Sequence, residues 1–84
     1  MKIIISGKNY DLTDAIKKRV VDKLAKLDKF FTSETTATVT IKGEKIGDIV
    51  EINIPVRGSL LRVSECESNL FASIDTAADK LERQ

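Results

Sequence analysis

Histidine is absent from this 84-residue chain, and cysteine occurs once, at Cys66. The first absence removes the side chain most often used as a general base near neutral pH, and leaves Cys66 without the partner a thiol nucleophile needs. A lone cysteine forms no internal disulfide and suits a reducing compartment; its place in the pattern is that of a small, partly buried strand residue. Without histidine, and with carboxylates that show no ligand spacing, no metal site is expected. The four glycines build no phosphate loop, since Gly7 stands alone after the first apolar run. That run, Ile3-Ile4-Ile5 between Lys2 and Ser6, is too short for a signal peptide or a membrane span, so the expected compartment is the cytosol and no membrane is expected as a partner. Asp75 and Asp79, at i and i+4, read as solvated helix surface rather than a catalytic pair. No catalytic residue, cofactor or small-molecule substrate is expected.

What is present is one small domain. A chain of this length buries only about 60% of its unfolded surface, enough for a single core. Hydrophobic content of 42% with 32% charged residues belongs to a folded globular protein rather than a disordered one. The formal charge of +1 conceals an uneven distribution. Lys17, Lys18, Arg19, Lys23, Lys26 and Lys29 stand against only Asp22 and Asp28, whereas acids gather at Glu44, Asp48, Glu51, Glu65 and Glu67.

Periodicity organises the chain as β-α-β-β-β-α. Lys2 to Ser6 predicts a strand ended by Gly7, and Thr13 an N-cap with Asp14 in the first turn behind it. Ile16, Val20, Leu24, Leu27 and Phe31 recur at helical spacing, predicting one helix from about Asp14 to Lys29 closed by Phe30 and Phe31. Ala37, Val39 and Ile41 alternate with Thr38, Thr40 and Lys42 as in a half-buried strand. After a turn at Gly43 to Gly47, Val50, Ile52, Ile54 and Val56 form a third strand, which Pro55 restricts near its end. Arg57-Gly58-Ser59 turns into a fourth, where Leu61 and Val63 alternate but Leu60 and Cys66 fall on the other phase, as a bulge or partial burial of both faces would produce. Glu67-Ser68-Asn69 offers caps for a last helix. The economical assembly is an α+β two-layer sandwich: one four-stranded sheet, strands one and two parallel, with two parallel helices on one face.

The last helix is amphipathic with flanks of opposite sign. At roughly 100° per residue, Leu70, Ile74, Ala77, Ala78 and Leu81 share a face, with Lys80 and Arg83 on one side of it and Asp75 and Glu82 on the other. A helix needed only for packing has no reason to sort its charges. On the first helix, Arg19, Lys23 and Lys26 at i, i+4 and i+7 flank the apolar stripe on the same rotational side. Parallel helices so decorated predict a basic band across the helical layer, facing something anionic. The aromatics read as core rather than as base-stacking platforms, Phe31 on the apolar stripe above all, while the pattern leaves Tyr10 and Phe30 open.

Gly7-Lys8-Asn9, Thr13-Asp14-Ala15, the run Lys23 to Phe30, Ile54-Pro55, Leu60-Leu61-Arg62, and Phe71-Ala72-Ser73-Ile74-Asp75 continuing to Ala78 to Gln84 together resemble the ribosome hibernation-promoting factors, also called protein Y and formerly sigma-factor modulation proteins. The resemblance covers essentially the whole chain. It implies a fold similar to double-stranded-RNA-binding domains, and binding to the small ribosomal subunit and its rRNA in the channel between head and body, where the domain occludes messenger and the A- and P-site transfer RNAs. It implies translation inhibition and ribosome storage under stress, with no reaction catalysed. By position in the matched motifs Lys23, Lys26 and Lys29, Lys80 and Arg83, and Arg62 on strand four would meet RNA, with Arg19 on the same helical flank. Family members usually continue with further basic residues, and a long form adds a linker and a C-terminal dimerisation domain. This chain stops at Gln84, so residues 1–84 are expected to be one ribosome-binding domain, either the N-terminal part of a long form or a shortened short form.

A second class competes: a protein-interaction module in transcription, docking through the open sheet face or the acidic edge from Glu44 to Glu51, with the basic band incidental.

Overall fold

The computed structural model describes all 84 residues, Met1–Gln84. Its elements are β1 (Lys2–Lys8), α1 (Asp14–Ala25), a single 3-10 turn (Asp28–Phe30), β2 (Thr36–Glu44), β3 (Gly47–Val56), β4 (Ser59–Glu65) and α2 (Leu70–Arg83). The sheet runs in the order β1-β2-β3-β4, with β1 and β2 parallel and the other neighbours antiparallel. Connectivity then sends α1 and α2 the same way along one face.

Alternation decides which strand residues meet the helices. Ala37, Val39 and Ile41 of β2, Val50, Ile52 and Ile54 of β3, and Val63 of β4 point inward and are buried. They form one core with Ile16, Val20, Leu24 and Leu27 below, and with Leu70, Ile74, Ala77 and Leu81 of α2. The opposite face is open. Cross-strand register places Thr36, Thr38, Thr40, Asn53 and Ser64 there, together with Lys2, Lys8, Lys42 and Arg62. Lys42 meets Glu51 at 3.0 Å on this face.

Several boundaries differ from those the periodicity predicts. The first helix ends at Ala25, not Lys29. Beyond it the hydrogen bonds contract to i→i−3, with Leu27 N–H donating to the Leu24 carbonyl at 2.9 Å and Phe30 N–H to Leu27 at 2.9 Å. The tighter turn keeps Leu27 buried, swings Phe31 against the core and leaves Phe30 59% exposed, so Phe30 is not a core residue. β1 extends to Lys8, because Gly7 pairs with Ile41 instead of ending the strand. A Cβ on Gly7 would fall on the Tyr10 carbonyl, and one on Gly43 would fall on the Asn9 carbonyl. Both glycines therefore admit the Asn9–Tyr10 crossing, where Asn9 takes φ 56° and donates from Nδ2 to the Gly43 carbonyl at 3.1 Å. Tyr10 is held there with its phenol pKa raised, by burial first and then by the charge of Asp48 and a hydrogen bond with its carboxylate.

The β2–β3 turn shrinks to Lys45 and Ile46, since Glu44 and Gly47 already pair. β4 has an unbroken register and no bulge: Leu60 lies opposite Pro55 on the open face. Cys66 lies just past the strand and is exposed, not partly buried.

Both helices start on side-chain caps. Thr13 Oγ1 accepts from Ile16 N–H at 3.2 Å, and Asn69 Oδ1 from Ala72 N–H at 2.9 Å. Ser73, fully buried, accepts from Glu67 N–H at 2.7 Å and donates to the Asn69 carbonyl at 3.2 Å, which ties the β4–α2 junction to the helix start. Asn69→Ala is expected to cost about 1 kcal/mol in urea unfolding at unchanged m-value, and Asn69→Asp much less, since the carboxylate keeps the acceptor and favours the helix N-terminus.

Candidate nucleic-acid interface

Two classes of cation emerge among the basic residues singled out from the sequence. The first is already paired. Arg19 on α1 makes a two-point contact with Asp75 on α2, Nε to Oδ1 at 3.0 Å and Nη2 to Oδ2 at 3.1 Å, and Lys23 Nζ lies 3.7 Å from the same Oδ1. Lys80, on the other flank of α2, bonds to Glu65 of β4 at 2.8 Å. The charge sorting of the last helix thus has an internal reason: its acidic flank faces α1, and its basic flank faces the inward-pointing carboxylate of β4. Packing does sort charges here, because each flank has a neighbouring element of opposite sign. Lys18 pairs with Asp22 one turn along at 2.8 Å, a well-exposed pair of the kind that contributes little.

The second class has no acidic partner. Lys26, Lys29 and Arg83 are exposed and take part in none of the ion pairs. Lys26 caps the end of α1, Lys29 sits in the 3-10 turn rather than on α1, and Arg83 is in the last turn of α2. These are the same ends of two parallel helices. Each cation lies at or just past a helix C-terminus, and between those ends Leu27, Phe30 and Phe31 share a slot of about 220 Å³ with Leu61, Leu81, Glu82 and Gln84. Helix C-termini carry partial negative charge, which stabilises cations placed there. Nearby acids are limited, since Asp28 is engaged by the N-terminal ammonium at 2.7 Å, although Glu82 borders the slot. Lys29 lies 5.2 Å from the centroid of the exposed Phe30 ring.

Arg62 stands apart. Its neighbour Val63 faces the helices, so Arg62 points to the open sheet face, opposite Asn53 and away from the helical cations. One contributor escaped the sequence reading. Phe71 reads as core by residue type but is partly exposed at the start of α2, and its ring carries the Arg19 guanidinium at 5.4 Å. Its helical offset from Leu70 and Ile74 was the available signal. No group of three or more Cys, Asp or Glu side chains is close enough to hold a metal ion. No helix is long and apolar enough to cross a membrane.

Comparison with known proteins agrees with this architecture. The profile of the family described as "Sigma 54 modulation protein / S30EA ribosomal protein" matches residues 3–84. The ribosome hibernation promotion factor of Lactococcus lactis is 41% identical over 88 residues, aligned with all of this chain and 47% of its own length. The ribosome hibernation promoting factor of Azotobacter vinelandii is 33% identical, across all of this chain and 78% of its own. The chain spans about half the length of the Lactococcus relative and of one from Deinococcus radiodurans, at 47% and 44%. Among solved structures, the Thermus thermophilus Protein Y N-terminal domain superposes with a TM-score of 0.85 at 39% identity, covering 100% of this chain and 94% of that one. A ribosomal subunit interface protein from Coxiella burnetii shares the fold, with a TM-score of 0.84 at 22% identity. A match over nearly every residue, on the fold built above from register and caps, leads to one conclusion: this chain belongs to the Sigma 54 modulation protein / S30EA ribosomal protein family.

Proposed function

We propose that this domain acts in ribosome hibernation: it binds the small ribosomal subunit through rRNA, lodges at the decoding channel, and blocks translation by occupying the space of messenger and transfer RNA. The observation that carries the reading is the set of unpaired cations, Lys26, Lys29 and Arg83, at one end of two parallel helices. Structured RNA is recognised largely through phosphate geometry and shape, and cations on rigid elements match that target. Lys23, Arg19 and Lys80 stand beside them but meet RNA only by leaving their carboxylates. Arg62 touches RNA only where a second wall faces the open sheet. The matched relatives are named as hibernation factors, which supports a ribosomal site of action and hence a cytoplasmic one. Binding is by occlusion, without a cofactor, a small-molecule substrate or a chemical step.

The acidic edge needed by a protein-interaction module is weaker than its sequence suggests, because Glu51 is paired with Lys42 and Asp48 faces Tyr10. Co-sedimentation with purified small subunits over a range of salt concentrations, with and without initiator transfer RNA, tests the proposal. Saturable binding that weakens steeply with salt and is lost to the competitor is expected. No binding at low salt would refute it.

A further inference from the structure

Asp75 lies where the two helices meet, and its surroundings are those of an oxyanion site. Arg19 presents its guanidinium edge to both carboxylate oxygens, Lys23 adds a second cation, and the Phe71 ring carries the guanidinium on its face. The four groups are two i,i+4 pairs, Arg19 and Lys23 on α1, Phe71 and Asp75 on α2, so rigid helices set the geometry. A planar fork beside an aromatic platform suits a phosphate as well as a carboxylate. The cradle is open to solvent, with the Asp75 and Arg19 side chains 32% and 43% exposed. An ion pair this accessible contributes little in water and exchanges readily for a stronger anion.

We propose that Arg19, Lys23 and Phe71 form a phosphate site for the RNA backbone, and that Asp75 is its resident stand-in, displaced when a phosphate group enters. The inference rests on the RNA-binding reading above. In the free protein the carboxylate offsets part of the repulsion between two cations one turn apart on α1. On binding, Asp75 turns to solvent, and Arg19 and Lys23 exchange one anion for another without loss of pairing. Their contribution to affinity is therefore net of the carboxylate they give up.

The test is Asp75→Asn, which keeps the size and removes the charge, measured as affinity for small subunits between about 50 and 200 mM salt. Loss of any acid favours an anionic ligand at long range, so Asp79→Asn, an exposed acid one turn along with no ion pair, sets the baseline. Asp75→Asn is expected to bind about three- to fivefold more tightly than Asp79→Asn, the equivalent of one exposed ion pair relieved. The salt slope should steepen by roughly 0.9. The gain should vanish in an Arg19→Gln background. Equal affinities for the two variants, or weaker binding by Asp75→Asn, overturns the proposal.

A second measurement needs neither the substitution nor the ribosome. Titration of the unsubstituted protein with inorganic phosphate, against chloride at matched ionic strength, should move the Arg19 Nε and Asp75 carboxyl carbon resonances selectively and saturably. No selective movement overturns the cradle. If the unsubstituted protein fails to bind small subunits at low salt, the RNA reading falls, and the phosphate titration still decides the cradle.

Discussion

Replacing Lys26, Lys29 and Arg83 together by Glu is expected to lower affinity for small ribosomal subunits by about a thousandfold or more near 0.1 M salt. The estimate follows from counterion release: each phosphate contact contributes a slope of roughly 0.9 in log K against log salt, hence close to one decade at 0.1 M, and three contacts give nearly three decades. Charge reversal adds repulsion on top. The salt slope should fall by about 2.7, and the triple Gln variant should lose that slope without the added repulsion. Stability changes less, because these side chains are exposed and unpaired. Acids at helix C-termini cost about 0.3–1 kcal/mol each, a loss of several degrees in Tm for a domain of this size. Circular dichroism at the assay temperature therefore separates lost contact from lost fold. A folded triple variant that binds with unchanged affinity and slope would remove these residues from the interface. Lys18→Glu is the matched control, a cation on the same helix already paired with Asp22 and expected to leave binding within about twofold.

The contrast between these cations and Arg19, Lys23 and Lys80 shows what a sequence of this size reveals. Basic residues were visible singly, and helical spacing placed them on flanks. Their partners were not visible, because Asp75 lies 56 residues from Arg19 and Glu65 lies on a strand. Long-range pairing is a product of packing, and flank sorting alone does not separate an internal partner from an external one. Period-two alternation carried the sheet, and it also held the information that Arg62 is out of phase with Leu61 and Val63, hence on the face away from the helices. The end of α1 was not legible. Leu27 and Phe31 continue the apolar spacing without a glycine or proline to stop it, and only the packing of Phe31 onto the core selects the 3-10 turn. That local change moves Lys29 off the helix and into the turn beyond its end, so the boundary that periodicity missed shapes the proposed interface.

The largest effect on stability is expected at Ile52. It is fully buried at the centre of the sheet, with Val39 and Val63 as its register partners on either side, both buried. Ile52→Ala removes three carbons from a site that neighbouring strands prevent from collapsing. Such truncations cost about 2–5 kcal/mol, and each kcal/mol lowers Tm by roughly 4–8 °C in a domain of this length. A domain of 84 residues has a total stability on the order of 4–13 kcal/mol, so Ile52→Ala should melt well below the parent and be partly unfolded at 37 °C. Ile52→Val should cost only about 0.5–1.5 kcal/mol. Asn53→Ala, one residue along and therefore on the open face, should stay within about 0.5 kcal/mol. The steep difference between adjacent positions is the energetic form of the alternation: one face holds the core and the other holds nothing that depends on side-chain volume. Thermal and urea unfolding of the three variants measures it, and comparable losses at Ile52 and Asn53 would contradict the two-layer arrangement. Ribosome binding by Ile52→Ala should fall only in proportion to the fraction folded and recover on cooling, whereas the charge-reversed triple variant stays folded and does not recover. Temperature thus distinguishes residues that build the platform from those that use it.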